Sequence, residues 1–149
     1  MFTSLHHFNL IVSDMEKTKE FYNHRLGLEI AMETVIEDPE FSRGVDLKDT
    51  KVLATYFKLP NNPGLIETFQ YVHPEGRPVP KDAKANDGGW KHICFQVDEI
   101  EKTYKELEEK GIEFLSVPAT LSQQHPHLPG ARFCYFLGPD QEVIEILQA

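Results

Sequence analysis

The sequence predicts an α+β protein made of two tandem modules, each with one strand, one helix and three further strands. Three observations support this fold class. The segment around His7 recurs around His92, both copies begin with alternating apolar and polar residues, and both end with a short apolar strand that contains a glutamate. Such alternation predicts a strand with one buried face. Because 149 residues are few for two independent cores, we expect a single domain over 1–149.

The internal repeat is the main signal. Residues 7–18 match residues 92–103, 85 positions later, with His, Val, Glu, Lys and Thr identical in register. About one chance identity would be expected from average residue usage. The module ends also match, since Ile66-Glu67-Thr68 corresponds to Ile144-Glu145-Ile146. We interpret the repeat as a duplication, with module one over 1–72 and module two over 90–149.

The elements of module one can be placed in order. A first strand over 7–12 leads into a helix predicted to begin at Ser13, with Glu16 completing a capping box. Gly27 suits the helix end, where a left-handed residue is common. The remaining strands are predicted at 28–36, 51–59 and 64–72.

Module two repeats this order. Asp98 and Glu101 form the second capping pattern, Gly111 stands at the helix end, and strands are predicted at 112–116, 131–137 and 142–148. Segment 73–89 contains three prolines and is interpreted as a stiff polar linker between the modules. The proline-containing loop 117–130 is long for a compact domain, and such loops often serve as lids.

Charge and composition exclude several classes of protein. The net charge of −9 argues against a nucleic-acid partner, which requires clustered Lys and Arg. The N-terminal segment has no long apolar run, so neither a signal peptide nor a membrane span is expected. Two cysteines, Cys94 and Cys134, do not form a disulfide framework. We therefore expect a cytoplasmic protein whose partner is a small molecule.

Four polar residues occupy equivalent positions on these apolar strands. His7 and His92 lie on the first strands, and Glu67 and Glu145 lie on the last. Taken singly, each has an ordinary surface interpretation. Together, two imidazoles and two carboxylates at symmetric positions favour a site for one divalent metal ion, with Ni, Zn, Co, Mn and Fe(II) as candidates.

The sequence resembles the vicinal oxygen chelate superfamily, which includes glyoxalase I, methylmalonyl-CoA epimerase, bleomycin-resistance proteins and extradiol dioxygenases. The similar segments cover essentially the whole chain: 7–14, Phe21-Tyr22, Ile66-Glu67, 89–98 with Trp90, and 138–146. This resemblance implies sheets that curl around a metal held by His7, Glu67, His92 and Glu145, often in a homodimer. The ligand set is similar to that of bacterial-type glyoxalase I. However, the first strand lacks the Arg with which that enzyme helps bind glutathione.

The resemblance predicts a metal-dependent lyase or isomerase that stabilises an enediolate of a small carbonyl substrate chelated through vicinal oxygens. It makes Glu145 the candidate catalytic base, with Glu67 as its partner. Strand alternation predicts which residues share the face of these ligands and line the substrate pocket. They are Asn9, Ile11, Phe69, Cys94, Gln96 and Leu147.

Two alternatives remain open at this level. An extradiol-type ring-cleaving dioxygenase would use Fe(II) with two His and one Glu, and would consume oxygen with catechols. A metal-free resistance-type protein would bind an apolar small molecule without catalysis. Metal analysis separates this last possibility from the two enzymes.

Overall fold

The helices and strands occur in the predicted order, with one additional helix. The computed structural model describes residues 5–80, 82, 84, 86–89 and 91–149. Module one contains β1 (His7–Ile11), α1 (Met15–Lys19) with a π-helical continuation (Glu20–Arg25), β2 (Ile30–Ile36), α2 (Pro39–Gly44), β3 (Lys51–Lys58) and β4 (Leu65–His73). Module two contains β5 (His92–Gln96), α3 (Ile100–Glu109), β6 (Ala119–Thr120), β7 (Arg132–Leu137) and β8 (Val143–Gln148).

Each module forms an open, mixed four-stranded sheet. The strand orders are β1-β4-β3-β2 and β5-β8-β7-β6. In both sheets the first strand of the module pairs with the last in parallel, whereas the other pairs are antiparallel. The α+β class and the two βαβββ modules are therefore confirmed.

The backbone divides into two compact units, Met1–Pro78 and Val79–Ala149. The boundary falls within segment 73–89, which is interpreted above as a linker. That both modules form one domain over 1–149 stays a prediction.

Trp90, part of the segment before β5 that resembles the family, lies outside the described residues. Among the described helices, none is long and apolar enough to cross a membrane.

A helix covers one face of each sheet. In module one, Tyr22 is fully buried and its ring lies 5.5 Å from that of Phe57. In module two, the ring of Phe114 lies 4.4 Å from Tyr104 of α3 and 5.1 Å from Phe136 of β7. Because this apolar packing fixes which face of each strand is buried, the alternate residues must point to the opposite face.

A glutamine from the last strand of each module caps the helix of that module. The backbone N–H of Met15 donates to Gln70 at 2.8 Å, and that of Ile100 donates to Gln148 at 2.9 Å. Both amides belong to the first helical turn and have no acceptor within the helix. These equivalent contacts extend the duplication to residues that the sequence comparison did not single out.

The predicted helix starts need correction. Asp14, rather than Ser13, caps α1, because its carboxylate accepts from the N–H groups of Glu16 and Lys17. In module two the capping position is Glu99, rather than Asp98, and its side chain makes no capping hydrogen bond. The Gln148 amide supplies that acceptor instead. Both helix ends are as predicted, since Gly27 and Gly111 have φ values of 76° and 78°.

Two further differences concern short elements. The strand predicted at 112–116 is reduced to one bridge between Phe114 and Phe136, and pairing resumes only at β6, inside the loop predicted at 117–130. Helix α2 was not predicted, although its start has a clear sequence signal. Asp38 accepts from the N–H groups of Glu40 and Phe41, and Pro39 occupies the first turn, where its missing N–H has no cost.

Equivalent buried aromatic residues should matter equally in the two modules. Phe57 and Phe136 are 0% and 1% exposed. We expect Phe57→Ala and Phe136→Ala each to lower the free energy of unfolding by about 3–5 kcal/mol, because each leaves a cavity. Urea unfolding followed by circular dichroism measures this loss. Val35→Ala is the control, since Val35 is 52% exposed; a Phe variant that matches it would contradict this account of the cores.

Candidate metal centre

In module one, the parallel pairing of β1 with β4 places His7 beside Glu67. Asn9 is the direct partner of Glu67 in the register, and His7 lies two residues before Asn9, on the same face. The His7 Nε2 atom is 3.5 Å from Oε2 of Glu67. The side chains are 41% and 11% exposed, so a half-exposed imidazole faces a nearly buried carboxylate.

Module two repeats this arrangement with a different set of neighbours. Cys94 is the direct partner of Glu145, and His92 lies two residues before it. The His92 Nε2 atom is 3.1 Å from Oε2 of Glu145, and the side chains are 42% and 12% exposed. The same register therefore produces the same His–Glu pair in both modules.

Each carboxylate has further donors on both neighbouring strands. The Asn9 amide donates to Oε2 of Glu67 at 2.9 Å, and the Tyr56 hydroxyl also donates to this carboxylate. The Glu145 carboxylate accepts from the Cys94 thiol and the Tyr135 hydroxyl. These contacts compensate for placing a carboxylate inside an apolar strand, which is costly without hydrogen bonds.

The protonation of these donors is set by their surroundings. Burial, and then the neighbouring Glu67, raise the pKa of Tyr56 to about 12. Burial and Glu145 raise the pKa of the Cys94 thiol to about 12, and the same two causes raise the pKa of Tyr135. All three groups therefore remain protonated near neutral pH and serve as donors. Cys94 is consequently a poor candidate for a nucleophile, because the thiolate is the reactive form.

His6 orients the imidazole of His7. The two Nδ1 atoms are 2.9 Å apart and share a hydrogen bond. This contact occupies Nδ1 of His7 and leaves Nε2 directed toward Glu67. A partner on one ring nitrogen is the usual way in which a metal-binding histidine is held with the other nitrogen available.

The structure places the predicted pocket residues on the strand faces that carry the two His–Glu pairs. Ile11 pairs with Phe69 in module one, one step beyond Asn9 and Glu67. Gln96 pairs with Leu147 in module two, one step beyond Cys94 and Glu145. Aromatic rings surround Phe69 at centroid distances of 5.9, 6.4 and 6.5 Å; they belong to Phe41, Tyr56 and Tyr71.

The donor atoms of each pair suit a divalent metal. Two ligands about 2.1 Å from one ion and at right angles lie about 3 Å apart, which is close to the 3.5 and 3.1 Å separations found here. The structure brings the four predicted ligands together as two pairs. Within the described part of the chain, no three His, Cys, Asp or Glu side chains form a group that could hold a metal ion.

Two tyrosines beside the glutamates were not predicted from the sequence. Tyr56 and Tyr135 are the direct antiparallel partners of Glu67 and Glu145. The sequence contains a signal for them, because the dipeptide Tyr-Phe occurs in both modules, as Tyr56-Phe57 and Tyr135-Phe136. Both phenylalanines are almost fully buried. The Tyr-Phe sequence lies on the third strand of each module, whereas the repeat described above covers the first and last strands.

The fold, the repeat and the two His–Glu pairs together define a member of a known class. The chain belongs to the Glyoxalase/Bleomycin resistance protein/Dioxygenase superfamily, whose sequence profile matches residues 4–146. This confirms the resemblance to the vicinal oxygen chelate superfamily.

Curated relatives cover different shares of their own lengths. The uncharacterized protein YwkD of Bacillus subtilis is 34% identical over 145 residues, which are 97% of this chain and 96% of that protein. Mitochondrial methylmalonyl-CoA epimerase of Bos taurus is 31% identical over 120 residues, 78% of this chain and 59% of the enzyme. Lactoylglutathione lyase of Schizosaccharomyces pombe is 26% identical over 147 residues, 96% of this chain and 46% of the enzyme. The chain thus spans about half the length of these two enzymes.

A solved structure supports the fold. The glyoxalase family protein from Bacillus cereus superposes with a TM-score of 0.84, covering 99% of this chain and 95% of that one at 18% sequence identity. At this identity the similarity concerns the fold alone.

The contact between Asn9 and Glu67 should be measurable without metal. We expect Asn9→Ala to lower the free energy of unfolding by about 1–2 kcal/mol in EDTA, because a nearly buried carboxylate loses a donor. The same substitution in a Glu67→Gln background should cost less. A double-mutant cycle by urea unfolding gives the coupling, and a value below about 0.3 kcal/mol would show that the contact contributes nothing.

Proposed function

We propose that the protein is a divalent-metal-dependent lyase or isomerase of the glyoxalase I and epimerase type, acting on a small carbonyl compound. In this proposal one metal ion is held by His7, Glu67, His92 and Glu145, one His–Glu pair from each module. The observation that carries the proposal is the equivalence of the two pairs in register, in Nε2–Oε2 separation and in exposure.

The donor chemistry supports a borderline divalent ion. Two imidazole nitrogens and two carboxylates suit Zn, Ni, Co, Mn and Fe(II), the candidates predicted from the sequence. A bound ion would polarise neighbouring oxygens of a substrate and stabilise the negative charge of an enediolate. The similarity to lactoylglutathione lyase and to methylmalonyl-CoA epimerase also supports this class of reaction.

The protein residues would then bind and move a proton. Glu145 would take the proton from the carbon next to the substrate carbonyl, while the electron pair of that C–H bond moves toward the carbonyl oxygen. Return of the proton to the neighbouring carbon, or to the same carbon from the other face, would complete the reaction. Glu67, held by Asn9 and Tyr56, would remain the partner carboxylate.

The residues predicted to line the pocket indicate which class of substrate could bind there. The predicted lining residues Asn9, Ile11, Phe69, Cys94, Gln96 and Leu147 include no cationic side chain. The first strand also lacks the Arg associated with glutathione binding. These features favour a substrate other than a glutathione adduct. We also propose that the protein acts as a homodimer, as the resemblance implies.

Metal binding is the first test. Apoprotein titrated with Ni²⁺, Zn²⁺, Co²⁺, Mn²⁺ or Fe²⁺ should bind one ion per chain. His7→Ala and His92→Ala should each weaken binding by more than the roughly 10–100-fold that loss of an outer partner costs. His24→Ala is the control, since His24 is an exposed histidine on the π-helical segment. A wild-type protein without affinity for any of these ions would favour the metal-free binding protein.

Proton transfer is the second test. The wild-type protein is first incubated with a panel of hemithioacetal and acyl-CoA compounds in deuterated water, and exchange of the α-proton is followed by NMR for the compounds that react. Glu145→Gln should slow this exchange by about 100-fold or more, because the general base is lost. Glu113→Gln, which changes an exposed glutamate of module two, should have no effect. Undiminished exchange would exclude Glu145 as the base, and oxygen uptake with catechols would identify a dioxygenase instead.

A further inference from the structure

We propose that Tyr56 and Tyr135 are equivalent positioning residues, whose hydroxyl groups hold the carboxylates of Glu67 and Glu145 in the orientation required to bind the metal. This inference rests on the proposed function, because it assigns a role toward the same metal ion. It concerns two residues outside the predicted ligand set.

In module one, the strand pairing fixes Tyr56 relative to Glu67. They are direct partners in the antiparallel register of β3 and β4, so both side chains emerge on the same face. The next residue, Phe57, is completely buried on the opposite face and packs against Tyr22. Strand β3 therefore cannot turn Tyr56 away without exposing Phe57, and the hydroxyl remains a donor to Glu67.

In module two, Tyr135 has the same position and one additional contact. It is the direct partner of Glu145 in the register of β7 and β8, and it donates a hydrogen bond to that carboxylate. Its ring centroid also lies 5.6 Å from that of His92, in an edge-on arrangement. The following Phe136 is buried, as Phe57 is in module one. Tyr135 thus touches both members of its His–Glu pair.

A hydroxyl donor at this position controls the orientation of a ligand. A carboxylate can rotate and can offer either oxygen, whereas a metal requires one oxygen in a defined direction. A donor that is held by the neighbouring strand restricts this rotation before the metal binds. Such outer partners of metal ligands commonly change metal affinity by about 10–100-fold when removed.

The two carboxylates should depend on their tyrosines to different degrees. Glu67 retains the Asn9 amide, a strong donor at 2.9 Å, when Tyr56 is changed. Apart from His92, which is itself a proposed metal ligand, the described neighbour that Glu145 retains is the Cys94 thiol, which is a weak donor. Tyr135 is therefore the more important of the two. An amide in place of the thiol should compensate for the loss of its hydroxyl.

Metal affinity of the full chain tests this difference. Apoproteins carrying Tyr56→Phe or Tyr135→Phe are titrated with Mn²⁺, and free Mn²⁺ is measured by electron paramagnetic resonance. We expect binding to weaken by about 10-fold for Tyr56→Phe and by up to about 100-fold for Tyr135→Phe. The metal-free Tm in EDTA, measured in parallel, should fall by no more than it does for Asn9→Ala, because each change removes one donor from a nearly buried carboxylate. A purely structural role would lower this Tm and leave the affinity of the folded protein for Mn²⁺ at the wild-type value.

A matched control and a rescue complete the experiment. Tyr104 donates to Glu108 at 3.3 Å on α3, so Tyr104→Phe removes the same type of contact elsewhere and should leave Mn²⁺ affinity unchanged. Cys94→Asn in the Tyr135→Phe background should recover most of the affinity.

The outcomes distinguish this inference from the proposed function. Wild-type affinity in both single variants, or a double variant no better than Tyr135→Phe, overturns the inference alone. A wild-type protein that binds no Mn²⁺, Ni²⁺ or Zn²⁺ overturns the proposed function, and this inference with it.

Discussion

A carboxylate within an apolar strand is the constraint on which the rest of each module depends. Glu67 lies between Ile66 and Thr68, which are both completely buried, and Glu145 lies between Ile144 and Ile146, which are 0% and 3% exposed. These neighbours leave only the opposite face for the carboxylate. There it is nearly buried, so donors must come from the adjacent strands.

Strand order supplies these donors. The last strand lies between the first and the third in both sheets. It therefore has a parallel neighbour that carries a histidine and an antiparallel neighbour that carries a tyrosine. One polar residue in an apolar strand thus acquires an imidazole on one side and a tyrosine hydroxyl on the other. Around the carboxylates, the modules differ in the direct parallel partner, which is Asn9 for Glu67 and Cys94 for Glu145, and this difference makes the two carboxylates chemically unequal.

Periodicity and repetition make part of this structure predictable, and prediction fails where a distant side chain decides the outcome. The first and last strands, the glycines at the helix ends and the faces of both His–Glu pairs are set by local patterns. The start of α3 is not set by a local pattern, because the N–H of Ile100 donates to Gln148, 48 residues later in the chain. The strand expected at 112–116 is limited to one bridge with β7, in which Phe114 is opposite Phe136 and the Leu115 N–H donates to the Tyr135 carbonyl. The positions of Tyr56 and Tyr135 opposite the glutamates follow from the strand register, which local sequence does not determine.

The glutamine contacts make each module cooperative in a specific way. Gln70 and Gln148 lie three residues after Glu67 and Glu145 on the same strands, and each holds the first turn of its helix. The strand that presents the carboxylate is therefore also the anchor of the helix on the opposite face. Opening of either helix start would break this contact, so the helix and the strand that carries the glutamate are linked directly through one side chain. One short strand segment thus contacts the helix on one face of the sheet through its glutamine and carries the glutamate on the other face.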